Sequence, residues 1–362
     1  MERLHARRSR DSYVPLLAVI SIPLLMTCCA TRAGVAAQGV TSGIDLTRSL
    51  DGSGKGIDCF QDVTINGCRQ RILIQSDDVT RNPILLFLHG GPGSSEMLWS
   101  HLYDRKLRRN FIYVNWDQRG AGFSYREDVD PAGVSEVQIH DDALALVRYL
   151  TGTFGKEKVF LLGHSFGSVI GMRLAADHPE LFYAYIGAGQ VIDGEYDRSV
   201  RITYDWLHET LVKAHDREGL ARIEKGRFPY MDLIIKYGGH HDPSIDLARV
   251  MAGSPYYVDG YLDLLQKGKD FSAENVGRNP RLRGVPGRSV LDIPIPLYFF
   301  EGVNDHVIAS APDLVVEYCA KVRAPKAEIV WFKKSAHTMN VDEPMKFQDE
   351  LVRILGETLP RD

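Results

Sequence analysis

From Arg71 onward the chain alternates between two hydrophobic patterns. Continuous apolar runs of strand length recur at Pro83–Gly90 (PILLFLHG), Phe111–Asp117 (FIYVNWD), Lys158–Gly163 (KVFLLG), Leu181–Gly189 (LFYAYIGAG), Ile293–Gly302 (IPIPLYFFEG) and Ala327–Lys334 (AEIVWFKK). Between them lie stretches of helical spacing. Val134–Gly155 carries Val137, Leu144, Val147 and Leu150 on one face, Ser168–Pro179 ends at a proline, and Ala311–Val322 separates the last two runs. Unbroken apolar strands alternating with helices predict an α/β fold, with a mostly parallel sheet covered by helices on both faces. The rhythm breaks between Val191 and Gly284, where amphipathic stretches such as Ser199–Asp216 follow one another without a strand. This segment is expected to be a helical cap inserted over the sheet. The core is then split into residues 58–190 and 285–362.

Upstream, Phe60–Ile74 reads as a hairpin with Asn66-Gly67 at its two-residue turn. That register places Ile65 opposite Cys68 and Cys59 opposite Ile74. Cys59 and Cys68 are then roughly 20 Å apart along the strands, and a disulfide needs Cα atoms within about 7 Å. No bridge between them is expected.

The first 37 residues read differently. Arg3, Arg7, Arg8 and Arg10 precede a short apolar run, Val14–Met26, and a small-residue exit containing Cys28 and Cys29. This is the order of a secretory signal, and the run falls short of the ~20 residues of a membrane span. Leu25–Cys28 loosely resembles a bacterial lipobox, so membrane attachment through lipidated Cys28 stands beside cleavage after Ala37. An exported protein, bacterial-periplasmic or membrane-anchored, is expected. Residues 38–57, rich in Gly and Ser, read as a linker. Over its 362 residues the chain is 44% hydrophobic and 25% charged, with a net charge of −4. Neither the charge nor any basic stripe points to nucleic acid; the expected partner is a small molecule or a short peptide.

In open parallel sheets ligands sit beyond the carboxyl ends of the strands, and the polar motifs fall there. Gly163-His164-Ser165-Phe166-Gly167 joins a strand to a helix and fits G-x-S-x-G, the corner that projects a serine nucleophile above a sheet. A serine hydroxyl needs a base, and the base an orienting acid. Asp305 follows one later strand and His337 the last, in the order Ser, Asp, His; Glu301 and Asp313 are the competing acids. The Gly-rich Leu88–Ser95 loop lets the backbone approach a developing oxyanion. One N–H is expected from Phe166 and a second from Gly90 or Gly91. The loop lacks the G-K-[ST] of a phosphate loop. No cofactor is called for, and His240-His241-Asp242 is expected to be a surface loop rather than a metal site.

HGGPG, WDQRGAGFS (Trp116–Ser124), GHSFGS (Gly163–Ser168), GVND and SAHTMN occur here in that order. Together they resemble the proline iminopeptidase family of α/β-hydrolases, across roughly Asp58 to Leu355. The resemblance implies the α/β-hydrolase fold, Ser165 as nucleophile, His337 as base, Asp305 as its acid, and a supporting ion pair for Arg119. It also implies cap carboxylates that hold the substrate's free amine. Glu195, Asp197, Asp205, Glu209 and Glu218 are available, with Glu195 and Glu209 the choices for substrate binding. The expected activity is release of an N-terminal proline or other small residue; an esterase or amidase of the same fold is the alternative. A haloalkane dehalogenase would want Asp at position 165.

Overall fold

The computed structural model describes residues 39–40, 51–192, 196–225, 230–277 and 291–359. Cys28, the signal segment and Glu195 lie outside the described residues. Strands β1 (Ile57–Ile65) and β2 (Cys68–Ser76) form the hairpin predicted at Asn66-Gly67, with Ile65 opposite Cys68 and Cys59 opposite Ile74. Cys59 and Cys68 are free thiols. Val40, assigned above to a linker, pairs with Ile65 in an isolated antiparallel bridge.

Six further strands complete the sheet. They are β3 (Ile84–Leu88), β4 (Ile112–Asp117), β5 (Val159–His164), β6 (Phe182–Ala188), β7 (Leu297–Gly302) and β8 (Ala327–Phe332). Their spatial order is β1-β2-β4-β3-β5-β6-β7-β8, and every pairing from β4 to β8 is parallel. Alternate residues of one strand feed opposite cores. Ile84, Leu86, Leu161, Leu297 and Phe299 join one cluster; Leu85, Phe87, Phe160, Leu162, Tyr298 and Phe300 join the other. That is why these strands read as continuous apolar runs rather than alternating ones.

The helices are α1 (Asp104–Asn110), α2 (Glu136–Phe154), α3 (Phe166–Asp177), α4 (Tyr196–Lys213), α5 (Arg217–Glu224), α6 (Met231–Lys236), α7 (Leu247–Ala252), α8 (Tyr261–Gly277), α9 (Pro312–Cys319), α10 (Met339–Asp342) and α11 (Pro344–Thr358). The helices α2, α3 and α9 pack on the first cluster; α1 and α11 pack on the second, through Leu107, Phe347, Leu351 and Ile354. Helix α2 starts where Ser135 Oγ accepts the Gln138 N–H at 3.1 Å and stops at Gly155 in the left-handed region. Helices α4–α8 come between β6 and β7 in the chain, as the break in strand rhythm predicts. Among them Leu207, Leu211, Ile223, Leu233 and Ile234 form a small core of their own, which reaches the sheet edge at Val307.

Candidate active site

Ser165 sits at the join of β5 and α3 with φ 51° and ψ −121°, in the positive-φ region that side chains avoid. The corner is too tight for anything but glycine beside it. A Cβ on Gly167 would lie 2.1 Å from the Leu88 carbonyl oxygen, and one on Gly163 would lie 2.6 Å from that of Gly167. Strand β3 and the helix are thereby drawn together, and the serine is pushed out over the carboxyl edge.

The β7 and β8 loops bring the other two residues. His337 Nδ1 lies 2.7 Å from Asp305 Oδ2, with the imidazole 3% exposed and the carboxylate fully buried. Asp305 Oδ1 accepts the Val307 N–H at 2.9 Å and the Ser310 hydroxyl at 3.2 Å. These bonds fix the carboxylate and leave His337 Nε2 as the ring atom turned from the acid. Ser165 and His337 line one cavity of about 320 Å³. The rival acids are placed elsewhere. Asp313 lies in the first turn of α9. Glu301 is buried within β7, takes the Gln190 N–H, and is held well above the usual carboxylate range by burial and by neighbouring Asp305.

The Gly-rich loop corrects one expectation. The Gly90 N–H donates to Glu96 Oε1 at 3.0 Å and is not free for an oxyanion. Gly91 remains in the cavity wall. Phe166 is the first residue of α3, so its N–H precedes the first intrahelical bond.

Glu96 itself is not legible in the sequence as a site residue. It accepts from Gly90, from His164 Nδ1 at 2.6 Å and, through Oε2, from Asn340 Nδ2 at 3.0 Å. His164 Nε2 points at the His337 carbonyl oxygen, 2.9 Å away. His164 Nε2 and Nδ1 thus face a carbonyl and a carboxyl oxygen, an arrangement that suits an imidazolium beside a carboxylate. Burial opposes charge on both groups; their mutual attraction outweighs it, raising His164 and lowering Glu96. This buried pair ties the Gly-rich loop to the loop of His337.

Two more ties hold the loops. His89 Nε2 accepts the Gln118 N–H at 3.1 Å, and burial lowers that imidazole to about 4, so it stays neutral. Arg119 makes the ion pair expected of it, with two bonds of 2.8 and 2.9 Å to Asp142, whose oxygens also accept from Gln70, Asn66 and Gln138. Asp117, buried and bonded to Ser95 and the Phe123 N–H, is raised to about 7 by burial.

The cap departs from expectation at two points. Glu209 is exposed and pairs with Lys213 at 3.6 Å on the outer face of α4, and it is not in the cavity wall. Its place in the helical repeat, beside buried Leu207 and Leu211, turns it away from the site. His240-His241 is no surface loop. Gly238, at φ 80°, turns the chain down onto the β8 loop, where the His240 carbonyl accepts the His337 N–H at 2.9 Å. Both imidazoles line the cavity, lowered mainly by burial and hence neutral near pH 7. Among the described residues no cluster of three or more potential ligands could hold a metal ion, and no helix is long and apolar enough to cross a membrane.

Residues 85–349 match the model of the alpha/beta hydrolase family. The chain belongs to the alpha/beta hydrolase family. The hydrolase is 28% identical over 316 residues to a probable aminopeptidase, YbaC, of Bacillus subtilis, spanning 83% of this chain and 96% of the relative. Among solved structures it is similar to a proline iminopeptidase-related protein of Thermus thermophilus (TM-score 0.58, 21% identity, 84% of this chain and 99% of that one). It is also similar to a proline iminopeptidase of Mycobacterium smegmatis (TM-score 0.59, 16% identity, 80% and 95%). At these identities the structural likenesses establish the fold.

Proposed function

We propose that this alpha/beta hydrolase is a serine hydrolase working through a covalent acyl-enzyme, with N-terminal residues of short peptides among its substrates. The observation that carries the reading is the shared cavity of Ser165 and His337, with His337 Nδ1 held 2.7 Å from buried Asp305. Ser165 Oγ attacks the substrate carbonyl carbon while His337 Nε2 takes the hydroxyl proton. Asp305 steadies the imidazolium that forms. The oxyanion receives N–H bonds from Phe166 and Gly91. His337 returns the proton to the leaving amine or alcohol, then activates a water that releases the acid and frees Ser165. The peptidase reading is supported by the aminopeptidase-like relative; release of proline in particular is its narrower form.

One observation favours the esterase or amidase alternative. A free amine calls for a free carboxylate. Glu96 is the sole carboxylate among the described residues lining the cavity, and both its oxygens are engaged. A fluorophosphonate probe should label Ser165 and no other serine; an unlabelled Ser165 would remove the enzyme reading. Turnover of proline arylamides set against short-chain aryl esters then chooses the substrate class, and ester cleavage alone would overturn the peptidase. Export is supported by the order of residues 1–37. Palmitate labelling with Cys28→Ser as control tests lipidation, which an unlabelled wild-type chain would exclude.

A further inference from the structure

Among the described residues, the carboxylate and the imidazoles in the wall of the cavity above Ser165 have partners, whereas Trp99 Nε1 is buried without one. Glu96 and His164 hold each other, His337 holds Asp305, and His240 Nδ1 lies 2.8 Å from His241 Nδ1. Lys269, on α8, also lines the cavity. It is half-buried, and among the described residues it makes neither a hydrogen bond nor an ion pair. Met231, Ile235, Leu247, Met251 and Leu265 supply most of the remaining cap surface there, so the cap side of the cavity lining holds no carboxylate for the ammonium among the described residues.

The backbone of the helix is anchored on both sides of this lysine. Ser272 Oγ donates to the Gly120 carbonyl at 3.3 Å, and a Cβ on Gly93 would lie 2.8 Å from the Gly268 carbonyl oxygen. The residues flanking Lys269 are thus pressed against the DQRG and HGGPG loops, and the second of these borders Ser165. Burial draws the ammonium below the ordinary lysine value, and the Glu96 and Asp270 carboxylates offset part of that. A cation held in a largely apolar, half-closed cavity costs free energy that a bound anion recovers.

We propose that Lys269 receives a carboxylate of the substrate, so that the hydrolase prefers substrates carrying one near the scissile bond. The proposal rests on the serine hydrolase reading. Two sources supply the same chemistry: the C-terminal carboxylate of a dipeptide, on the leaving side, or a second carboxylate on the acyl side. A free amine finds no equivalent partner in the described wall.

Matched pairs separate these sources. Prolyl-alanine is compared with prolyl-alaninamide, and p-nitrophenyl hemisuccinate with p-nitrophenyl butyrate, each by kcat/KM. In at least one pair the charged member should be favoured about tenfold or more, the range of a charge-assisted hydrogen bond. Lys269→Met should bring that ratio close to one, and Lys269→Arg should retain most of it. Because the readout is a ratio, general loss of activity does not imitate the effect. A wild-type ratio at or below one in both pairs overturns the proposal, as does a preference that survives Lys269→Met. Turnover of the neutral members and labelling of Ser165 report separately on the hydrolase reading. If no pair turns over, titration calorimetry on Ser165→Ala with prolyl-alanine and monomethyl succinate reads the preference directly, and absence of Lys269-dependent binding overturns it.

Discussion

At the carboxyl edge of the sheet, Asp305, Glu96 and Asp142 each accept three or more hydrogen bonds. Across the cavity, α6 and α8 present Met231, Ile235 and Leu265, and a lysine that has no partner among the described residues. The edge turns its polar groups on one another, which fixes loops from four strands in a single arrangement. The cap has few to engage, and leaves a surface whose shape and lone charge can select a ligand. On the proposed function, chemistry and substrate selection are thus divided between two parts of one cavity. The division is testable: edge substitutions should cost catalysis or stability, and outward-facing cap substitutions should cost neither.

The largest effect belongs to Ser165→Ala. It removes the proposed attacking oxygen and should lower kcat by at least ~10⁴-fold. The strained corner accepts alanine no worse than serine, so thermal melting should hold. Residual turnover within tenfold of wild type would show that the edge has another nucleophile, and that the comparison has been drawn around the wrong atom.

The edge is far more legible in sequence than the cap, for physical reasons. Strands buried on both faces must be apolar throughout, so β3 to β8 announce themselves, and a serine between two glycines at a strand–helix join has few other uses. Asp305 and His337 follow because their loops leave carboxyl ends. Helices α1 and α11 have no counterpart among the predicted elements. Glu96 is a single acid past a Gly-rich loop, and its value depends on His164 arriving from β5, 68 positions later. His240 approaches His337 only because the cap folds back, a tertiary fact without local pattern. Glu209 shows the opposite failure: charge alone makes it a candidate, and the helix phase turns it outward.

Arg119→Met should be the next most costly. It leaves Asp142 buried and short of its cation, a loss of about 3–5 kcal/mol by chemical denaturation. Asp142 keeps its bonds from Gln70, Asn66 and Gln138, so the double change Arg119→Met with Asp142→Asn should recover part of the loss. No recovery would mean that the pair acts separately rather than as one tie between α2 and the β4 loop.

Glu96→Gln should cost about 2 kcal/mol and lower kcat as well, since Gly90 and the His337 carbonyl lose their common anchor. Its pH dependence follows from the two shifts. His164 is raised above 6.5, so the stability it contributes is complete below that value and is lost as pH climbs through the raised one. Glu96 is lowered below 4.5, so its contribution is present above that value and is lost as pH falls through the lowered one. The gap between wild type and variant should be widest between about pH 4.5 and 6.5, and should narrow on both sides. A gap independent of pH would show that the pair is neutral, and that the edge is held by shape rather than charge.

Glu209→Gln should do least. Its partner Lys213 stands one turn away, both side chains are at least 70% exposed, and such pairs contribute under about 0.5 kcal/mol. Leu207 and Leu211, which anchor the same helix, are untouched. If the outer face of α4 is as remote as its phase implies, KM for amine-bearing and neutral substrates should each stay within twofold of wild type. A selective rise for the amines would place Glu209 at the substrate after all. It would require α4 to turn its charged face inward when the cavity fills, making the cap a moving part and the stillness of the edge the feature that distinguishes the two.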